Sequence, residues 1–209
     1  MKLGGTWRKS LLTALSVIII LLHIVPFYIL ITTSLKVRGD FSSKWLLPDY
    51  LTFENFVQAI EKANLLNALL NSLMITVGAA ILLIIFGSMA AYPLARVQTK
   101  LNKLVFIFFI SIMVIPPLTV LVPMYKIVVD LGLINTHAIA IIVNVAAYLP
   151  LTIFFYTGFI RSTVPRELEE AASIDGSSRL GSFYRIVFPL LKPVTSTVII
   201  ISCVHVWND

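Results

Sequence analysis

Long apolar runs alternate with short polar segments along this chain. A helix needs about 20 apolar residues to cross a bilayer core of about 30 Å, where only helices and closed barrels satisfy their backbone hydrogen bonds. Residues 10–34, 69–94, 104–129 and 138–160 meet that requirement. They predict an all-α, polytopic membrane helix bundle with four full spans.

A fifth apolar run, residues 194–206, is shorter than the other four. As a helix it would extend only about 20 Å at a rise of 1.5 Å per residue, which is too short to cross the bilayer. We therefore expect the sequence to be cut inside its fifth span.

Composition and charge favour a membrane protein and argue against a nucleic-acid partner. Charged residues make up 12% of the 209 residues, against about 25% in soluble domains, and the mean hydropathy is +0.95. The net charge of +6 arises from short basic clusters between apolar runs, not from a basic surface interleaved with aromatic residues. The lipid bilayer is therefore the predicted partner of these clusters.

The distribution of Lys and Arg predicts how the chain is oriented. Segments that face the cytoplasm carry an excess of these residues. Eleven of the 16 lie before the first run, between the second and third runs, or in residues 161–193. We therefore expect a multi-pass protein of the cell (inner or plasma) membrane, with its N-terminus and the segment 161–193 in the cytoplasm.

The sequence offers no metal, cofactor or catalytic site. His23, His137 and His205 are scattered without the spacing of metal ligands. Residues 176–182 have the glycine spacing of a phosphate-binding loop but lack its lysine, and no predicted strand precedes them. The apolar runs contain no paired acids, which weakens the alternative of an ion-coupled secondary transporter.

Three features inside the apolar runs have structural or functional readings. Pro116-Pro117 interrupts the third run and predicts a bend, which is either part of a solute path or a static kink fixed by packing. Asn144 in the fourth run either lines that path or forms an interhelical hydrogen bond. Gly87 and Ala91, four residues apart in the second run, predict a close contact between helices.

The charged segment after the fourth run, residues 161–193, predicts a helix, a turn and a second helix. Glutamates fill the first turns of the first helix, where the helix dipole favours negative charge. Asp175-Gly176 predicts the end of that helix, because glycine adopts the left-handed conformation that follows many helices. The second helix is predicted to end at two prolines, Pro189 and Pro193.

Both predicted helices have an apolar face. The stripe on the second helix has the spacing i, i+3, i+4, i+7 and consists of Leu180, Phe183, Tyr184 and Val187. The face of the first helix is smaller and consists of Leu168, Ala171 and Ala172. Such a pair either lies flat in the membrane interface, packs on its own bundle or is held by a partner protein.

The spacing of residues in this segment resembles the EAA signature of ABC importer inner-membrane permeases, which is Glu-Ala-Ala, a glycine, then Ile-x-Leu-Pro. The matching residues are Glu170, Ala171, Ala172, Gly176, Ile186 and Pro189, with Phe188 in place of the usual leucine. Residues 34–36, 91–96, 131–136 and 207–209 are similar to the carbohydrate-uptake branch of that family, of the kind of the maltose-type second permease.

The resemblance implies the type-1 ABC importer permease fold, which has six spans, so that the sixth would be missing here. Residues 1–66 would form the cytoplasmic tail, the first span and an extracytoplasmic segment. Residues 67–209 would form an ABC transmembrane type-1 domain, incomplete at its C-terminus, with an EAA coupling loop at 161–193. The implied function is uptake of sugars or related polyols by alternating access coupled to ATPase motion. A truncated, non-transporting copy is the alternative.

The resemblance also implies partners and the residues that bind them. The partners are a second permease subunit, a cytoplasmic ABC ATPase dimer that hydrolyses the ATP, and an extracytoplasmic solute-binding protein. The chain itself would therefore not be an enzyme. The residues implied to dock the ATPase are Glu170, Ala171, Ala172, Asp175, Gly176, Ile186 and Pro189.

Overall fold

A computed structural model describes residues 4–62 and 64–208, which are largely helical and contain no strand. In chain order the helices are α1 (Gly4–Ser34), α2 (Glu54–Lys62), α3 (Leu65–Arg96), α4 (Lys100–Ile112), α5 (Pro117–Asp130), α6 (His137–Thr163), α7 (Glu167–Ile174), α8 (Arg179–Ser182), a π-helical turn (Phe183–Val187), α9 (Phe188–Leu190) and α10 (Lys192–Trp207). The prediction of an all-α chain is confirmed.

By length and composition, three of the described helices can each cross a membrane: α1 from Trp7, α3 and α6. Two further pairs qualify if each bent pair is one span, which gives up to five. These pairs are α4 with α5, bent by 98°, and Arg179–Leu190 with α10, bent by 71°.

The structure divides the third predicted span, residues 104–129, between α4 and α5. The bend lies where Pro116-Pro117 predicts one. Pro116 is extended, with φ −61° and ψ 130°, because the ring of Pro117 excludes the preceding residue from the helical region. Pro117 then begins α5, since a first helical residue needs no backbone N–H.

The chain divides into two compact units, residues 1–68 and 69–209. In the first unit, the chain after α1 folds around the buried side chain of Lys36, which is 5% exposed. Its Nζ donates to Ser42 Oγ at 2.6 Å and to the Ser43 carbonyl at 2.8 Å. Asn55 Nδ2 donates to the carbonyls of Ser34 and Lys36, at 2.9 and 2.6 Å. These bonds connect the end of α1 to α2.

The core of the second unit lies where α3, α6 and the chain from Phe183 to α10 meet. Its buried members are Ala91, Ala95, Tyr156, Ile160, Val164, Phe183, Val187, Leu191, Val194 and Val198. Gly87 of α3 approaches α6 so closely that a Cβ there would lie 2.4 Å from Thr152 Cγ2. The close helix contact predicted from Gly87 and Ala91 is confirmed.

Candidate functional site

The residues after α6 form a surface segment, residues 164–191, whose local structure follows from its sequence. Val164 is extended, with φ −91° and ψ 111°, because Pro165 excludes it from the helical region. Helix α7 starts at Glu167 and has Glu167, Glu169 and Glu170 in its first turn. Their negative charges lie at the positive end of the helix dipole.

The turn after α7 has the predicted glycine. Gly176 has φ +82°, a left-handed conformation that glycine adopts without penalty from a Cβ. The Ser177 amide donates to the Ala172 carbonyl at 2.8 Å, which is the long bond of a Schellman motif. Ser178 Oγ accepts from the Gly181 amide at 3.1 Å and caps α8. Gly176 as the end of α7 is therefore confirmed.

The second helix of the surface segment ends at Leu190, between Pro189 and Pro193, the two prolines predicted to end it. It widens into the π-helical turn Phe183–Val187, continues through α9 to Leu190, and Pro193 lies in the first turn of α10. The Phe188 amide donates to the Phe183 carbonyl, five residues back. This wider turn accommodates Pro189, which has no amide proton and whose ring would clash with the Arg185 carbonyl in a regular helix.

The predicted apolar stripe is divided between the core and the surface. Phe183 and Val187 are 2% and 0% exposed and pack in the core, whereas Leu180 and Tyr184 are 64% and 53% exposed. Ile174, at the end of α7, is 87% exposed. The surface segment therefore packs on its own bundle with one face and presents a second apolar face.

The residues implied to dock an ATPase are mostly accessible. Glu170, Ala171, Asp175, Gly176 and Pro189 are exposed and Ile186 is half-buried. Ala172 is 8% exposed and belongs to the protein interior. Its methyl group therefore packs inside the subunit instead of lying on the exposed face.

Arg96, the last residue of α3, binds three groups on two other elements. Its Nε donates to Glu169 Oε1 at 2.7 Å, and its two terminal nitrogens donate to the carbonyls of Ile160 at 3.2 Å and Val164 at 2.7 Å. Tyr92 Oη donates to the other oxygen of Glu169 at 2.7 Å. The side chains of Arg96 and Glu169 are 10% and 15% exposed, so this ion pair is largely shielded from water.

Arg161, in the last turn of α6, makes the reverse connection. Its Nη2 donates to the Leu94 carbonyl of α3 at 2.8 Å. The guanidinium carbon also lies 4.9 Å from the ring centre of Phe106 on α4, within the range of a cation–π contact. Each of the two helices, α3 and α6, therefore has an arginine near its C-terminal end that binds carbonyls at the end of the other helix.

A groove of about 570 Å³ opens beside this ion pair. Residues of both charges line it, together with apolar ones: Tyr92, Arg96, Arg166, Glu170, Arg179 and Leu180. In the sequence, Arg96 and Arg161 are charges that flank predicted spans, and Glu169 is an acid in the first turn of a predicted helix. The sequence pattern alone does not indicate that these three residues form a site.

The candidate solute-path residues lie outside this site. Asn144 is buried on α6, 5% exposed, and its Nδ2 donates to the Ala140 carbonyl of its own helix at 3.0 Å. Pro116 and Pro117 are exposed in the break between α4 and α5. For Asn144 and for Pro116-Pro117, a role in the solute path and a purely structural role therefore both stay open.

Apolar helices of spanning length, with a charged helical segment bonded to the ends of two of them, define a polytopic α-helical membrane protein. The chain belongs to the family of binding-protein-dependent transport system inner membrane components, whose profile matches residues 83–209. It is therefore a transport permease component, and its membrane location follows from the family and from the apolar helices.

Curated relatives match along nearly the whole chain. The melibiose/raffinose/stachyose import permease protein MelC of Bacillus subtilis is 59% identical over 209 residues, which cover 100% of this chain and 76% of that relative. AmyC of Thermoanaerobacterium thermosulfurigenes, a probable starch degradation products transport system permease protein, is 35% identical over 97% of this chain and 73% of its own. The diacetylchitobiose uptake system permease protein NgcG of Streptomyces coelicolor is 34% identical over 96% of this chain and 65% of its own.

Proposed function

We propose that this chain is the membrane-spanning permease subunit of an ATP-driven importer of melibiose, raffinose and stachyose. The identity of 59% to MelC over all 209 residues supports these sugars. The more distant relatives are carbohydrate permeases by name as well. ATP hydrolysis belongs to a separate ATPase dimer, and a second permease subunit and an extracytoplasmic binding protein complete the importer.

The exposed face of α7 is the proposed docking surface for the ATPase. Glu170 and Ala171 are exposed there, and Ile174 is 87% exposed. Docking of a partner on this face would remove the apolar surface of Ile174 from water, which favours association. Residues 161–193, which contain the surface segment, carry five of the 16 Lys and Arg residues, and this supports a cytoplasmic location, where ATP is available.

The surface segment is suited to transmit motion. Helix α7 ends in a hydrogen-bonded Gly176 turn, and the following helix buries Phe183 and Val187 in the core. A displacement of α7 would therefore reach α6 and α10 through packed side chains, because a close-packed core resists compression. Closure of the ATPase pair would in this way switch access between the two sides of the membrane.

Co-purification of the ATPase with the complete importer tests this proposal. We expect Ile174→Asp and Glu170→Lys to lose most of the bound ATPase and of the raffinose uptake. Both side chains are exposed, so neither change should unfold the subunit. Glu54→Lys is the matched control, because Glu54 also lies in the first turn of a helix, α2, outside the surface segment.

Two results would contradict the proposal. If both variants bind the ATPase at the wild-type ratio and import raffinose normally, α7 is not the docking surface. If uptake collapses when an ionophore removes the ion gradient but persists after ATP depletion, the protein is an ion-coupled transporter instead.

A further inference from the structure

We infer that Arg96 is a positioning residue for energy coupling, which together with Arg161 and Glu169 fastens α7 to the ends of α3 and α6. We call these three residues the reciprocal clamp. The inference rests on the proposed function, because it concerns how force applied to α7 reaches the spans. It assigns a role to side chains that the docking surface does not use.

Arg96 joins three elements through one rigid group. The carbonyls of Ile160 and Val164 lie at the C-terminal end of α6, where helix carbonyls lack partners within the helix and carry partial negative charge. A planar guanidinium can hold both carbonyls and the Glu169 carboxylate in one fixed geometry, whereas a lysine ammonium is a single flexible point charge. Arg96 therefore fixes the angle between α3, the end of α6 and α7.

Arg161 makes the connection reciprocal. It lies in the last turn of α6 and donates to the Leu94 carbonyl near the end of α3. Each of the two spans thus has terminal carbonyls bound by the arginine of the other. Two crossed connections resist both sliding and rotation of one helix end against the other, which a single bond would allow.

Glu169 and Glu170 are neighbours on α7 that face different surroundings. Successive residues on a helix point about 100° apart, given 3.6 residues per turn. Glu169 therefore points inward, where it accepts from Arg96 and Tyr92, while Glu170 is exposed on the docking face. Helix α7 is therefore attached to the bundle through Glu169, while Glu170 is accessible to a partner protein.

The test compares coupling with docking in the complete importer, with its partner permease, ATPases and binding protein, reconstituted in proteoliposomes. The measured quantity is ATP hydrolysed per molecule of radiolabelled raffinose imported. We expect Glu169→Gln and Arg96→Lys to retain the ATPase at the wild-type ratio but to raise ATP consumed per raffinose at least fivefold. Arg96→Lys keeps a positive charge opposite Glu169, so the subunit should fold.

Two variants of the same kind serve as controls. Glu167→Gln removes a glutamate from the same first turn of α7, and Arg185→Lys changes an exposed arginine of the same segment. Both are expected to leave the ratio of ATP to raffinose within twofold of wild type. A purely structural role for Glu169 would lower protein yield without changing this ratio.

The outcomes separate this inference from the proposed function. An unchanged ratio in both Glu169→Gln and Arg96→Lys overturns the inference alone. Loss of bound ATPase in Glu169→Gln also overturns it, because Glu169 would then belong to the docking surface. A wild-type importer that binds no ATPase overturns the proposed function and this inference with it.

Discussion

Gly87 on α3 lies directly against Thr152 on α6, with no room for a Cβ between them. Thr152 is 3% exposed, and its Oγ1 donates to the Tyr148 carbonyl at 2.9 Å. That bond fixes the rotamer and leaves the methyl group facing the glycine. The close crossing of α3 and α6 therefore requires a residue without a Cβ at position 87. The same two helices are joined by the reciprocal clamp.

Gly87→Ala is expected to destabilise the protein by about 1–3 kcal/mol, the usual cost of overpacking a core. Thr152 Cγ2 would have to move, and rotation about its Cα–Cβ bond would break the bond to Tyr148. Thermal unfolding in detergent measures the effect. Gly158→Ala on α6 is the matched control, because its Cβ would meet nothing within 4 Å.

A second variant tests the cause of this effect. Serine at position 152 keeps the hydroxyl and lacks Cγ2, so Gly87→Ala combined with Thr152→Ser should recover most of the lost stability. Equal stability of the Gly87→Ala and Gly158→Ala proteins would show that the helices can separate without cost at this point.

Gly176→Ala is expected to weaken ATPase docking through the backbone alone. A Cβ at Gly176 would meet no atom within 4 Å, but φ is +82°, and the left-handed conformation costs other residues about 1–2 kcal/mol. In the variant, either the turn keeps its conformation under strain or the C-terminal turn of α7 unfolds. Co-purification of the ATPase measures the outcome.

Gly39→Ala is the control for that experiment. Gly39 has φ +92° and an equally open environment, but it lies in the first unit, outside the surface segment. If both variants lose the ATPase to the same extent, the effect is a general loss of stability and the turn at Gly176 has no special part in docking.

The turns and bends of this protein could be predicted because each depends on its immediate neighbours. Pro117 restricts the residue before it, and Gly176 suits a left-handed turn whatever the rest of the chain does. Gly87 was predictable for a similar reason, since a residue without Cβ in an apolar helix favours close approach of another helix.

The reciprocal clamp could not be predicted in the same way. Arg96 and Glu169 are 73 residues apart in the sequence, and Tyr92 and Glu169 are 77 apart. Local sequence explains Arg96 as a charge that flanks a span and Glu169 as an acid at a helix start, so neither residue indicates its distant partner. The π-helical turn before Pro189 could not be predicted either, because it depends on the burial of Phe183 and Val187 in a core formed with distant helices.

The loop of the first unit is expected to respond to acid through Asp40. Hydrogen bonds from Tyr50 and Ser42 lower the pKa of Asp40 from 3.8 to about 2. Because the folded pKa is below the unfolded one, the carboxylate stabilises the loop fully above about pH 4. That contribution is lost as pH falls through about 2.

Fluorescence of Trp45, whose carbonyl accepts from Tyr28 Oη at 2.8 Å, can follow this transition when the other two tryptophans are replaced by phenylalanine. Asp40→Asn should remove the step between pH 4 and 2, and Asp49→Asn, an equal change of charge in the same loop, should leave it. A step that persists in Asp40→Asn would assign the acid response to another group.

The hydroxyls of Tyr156 on α6 and Thr195 on α10 lie 2.9 Å apart, and Tyr156 is fully buried. A double-mutant cycle of Tyr156→Phe and Thr195→Val should give a coupling energy of about 0.6 kcal/mol, the average for hydrogen bonds between helices in a membrane protein. Thr195→Val should cost more than this coupling, since it leaves the hydroxyl of the buried Tyr156 without its partner. Thermal unfolding of the four proteins measures the cycle. A coupling energy near zero would mean that α6 and α10 are held together here by the packing of Val194 and Val198 alone.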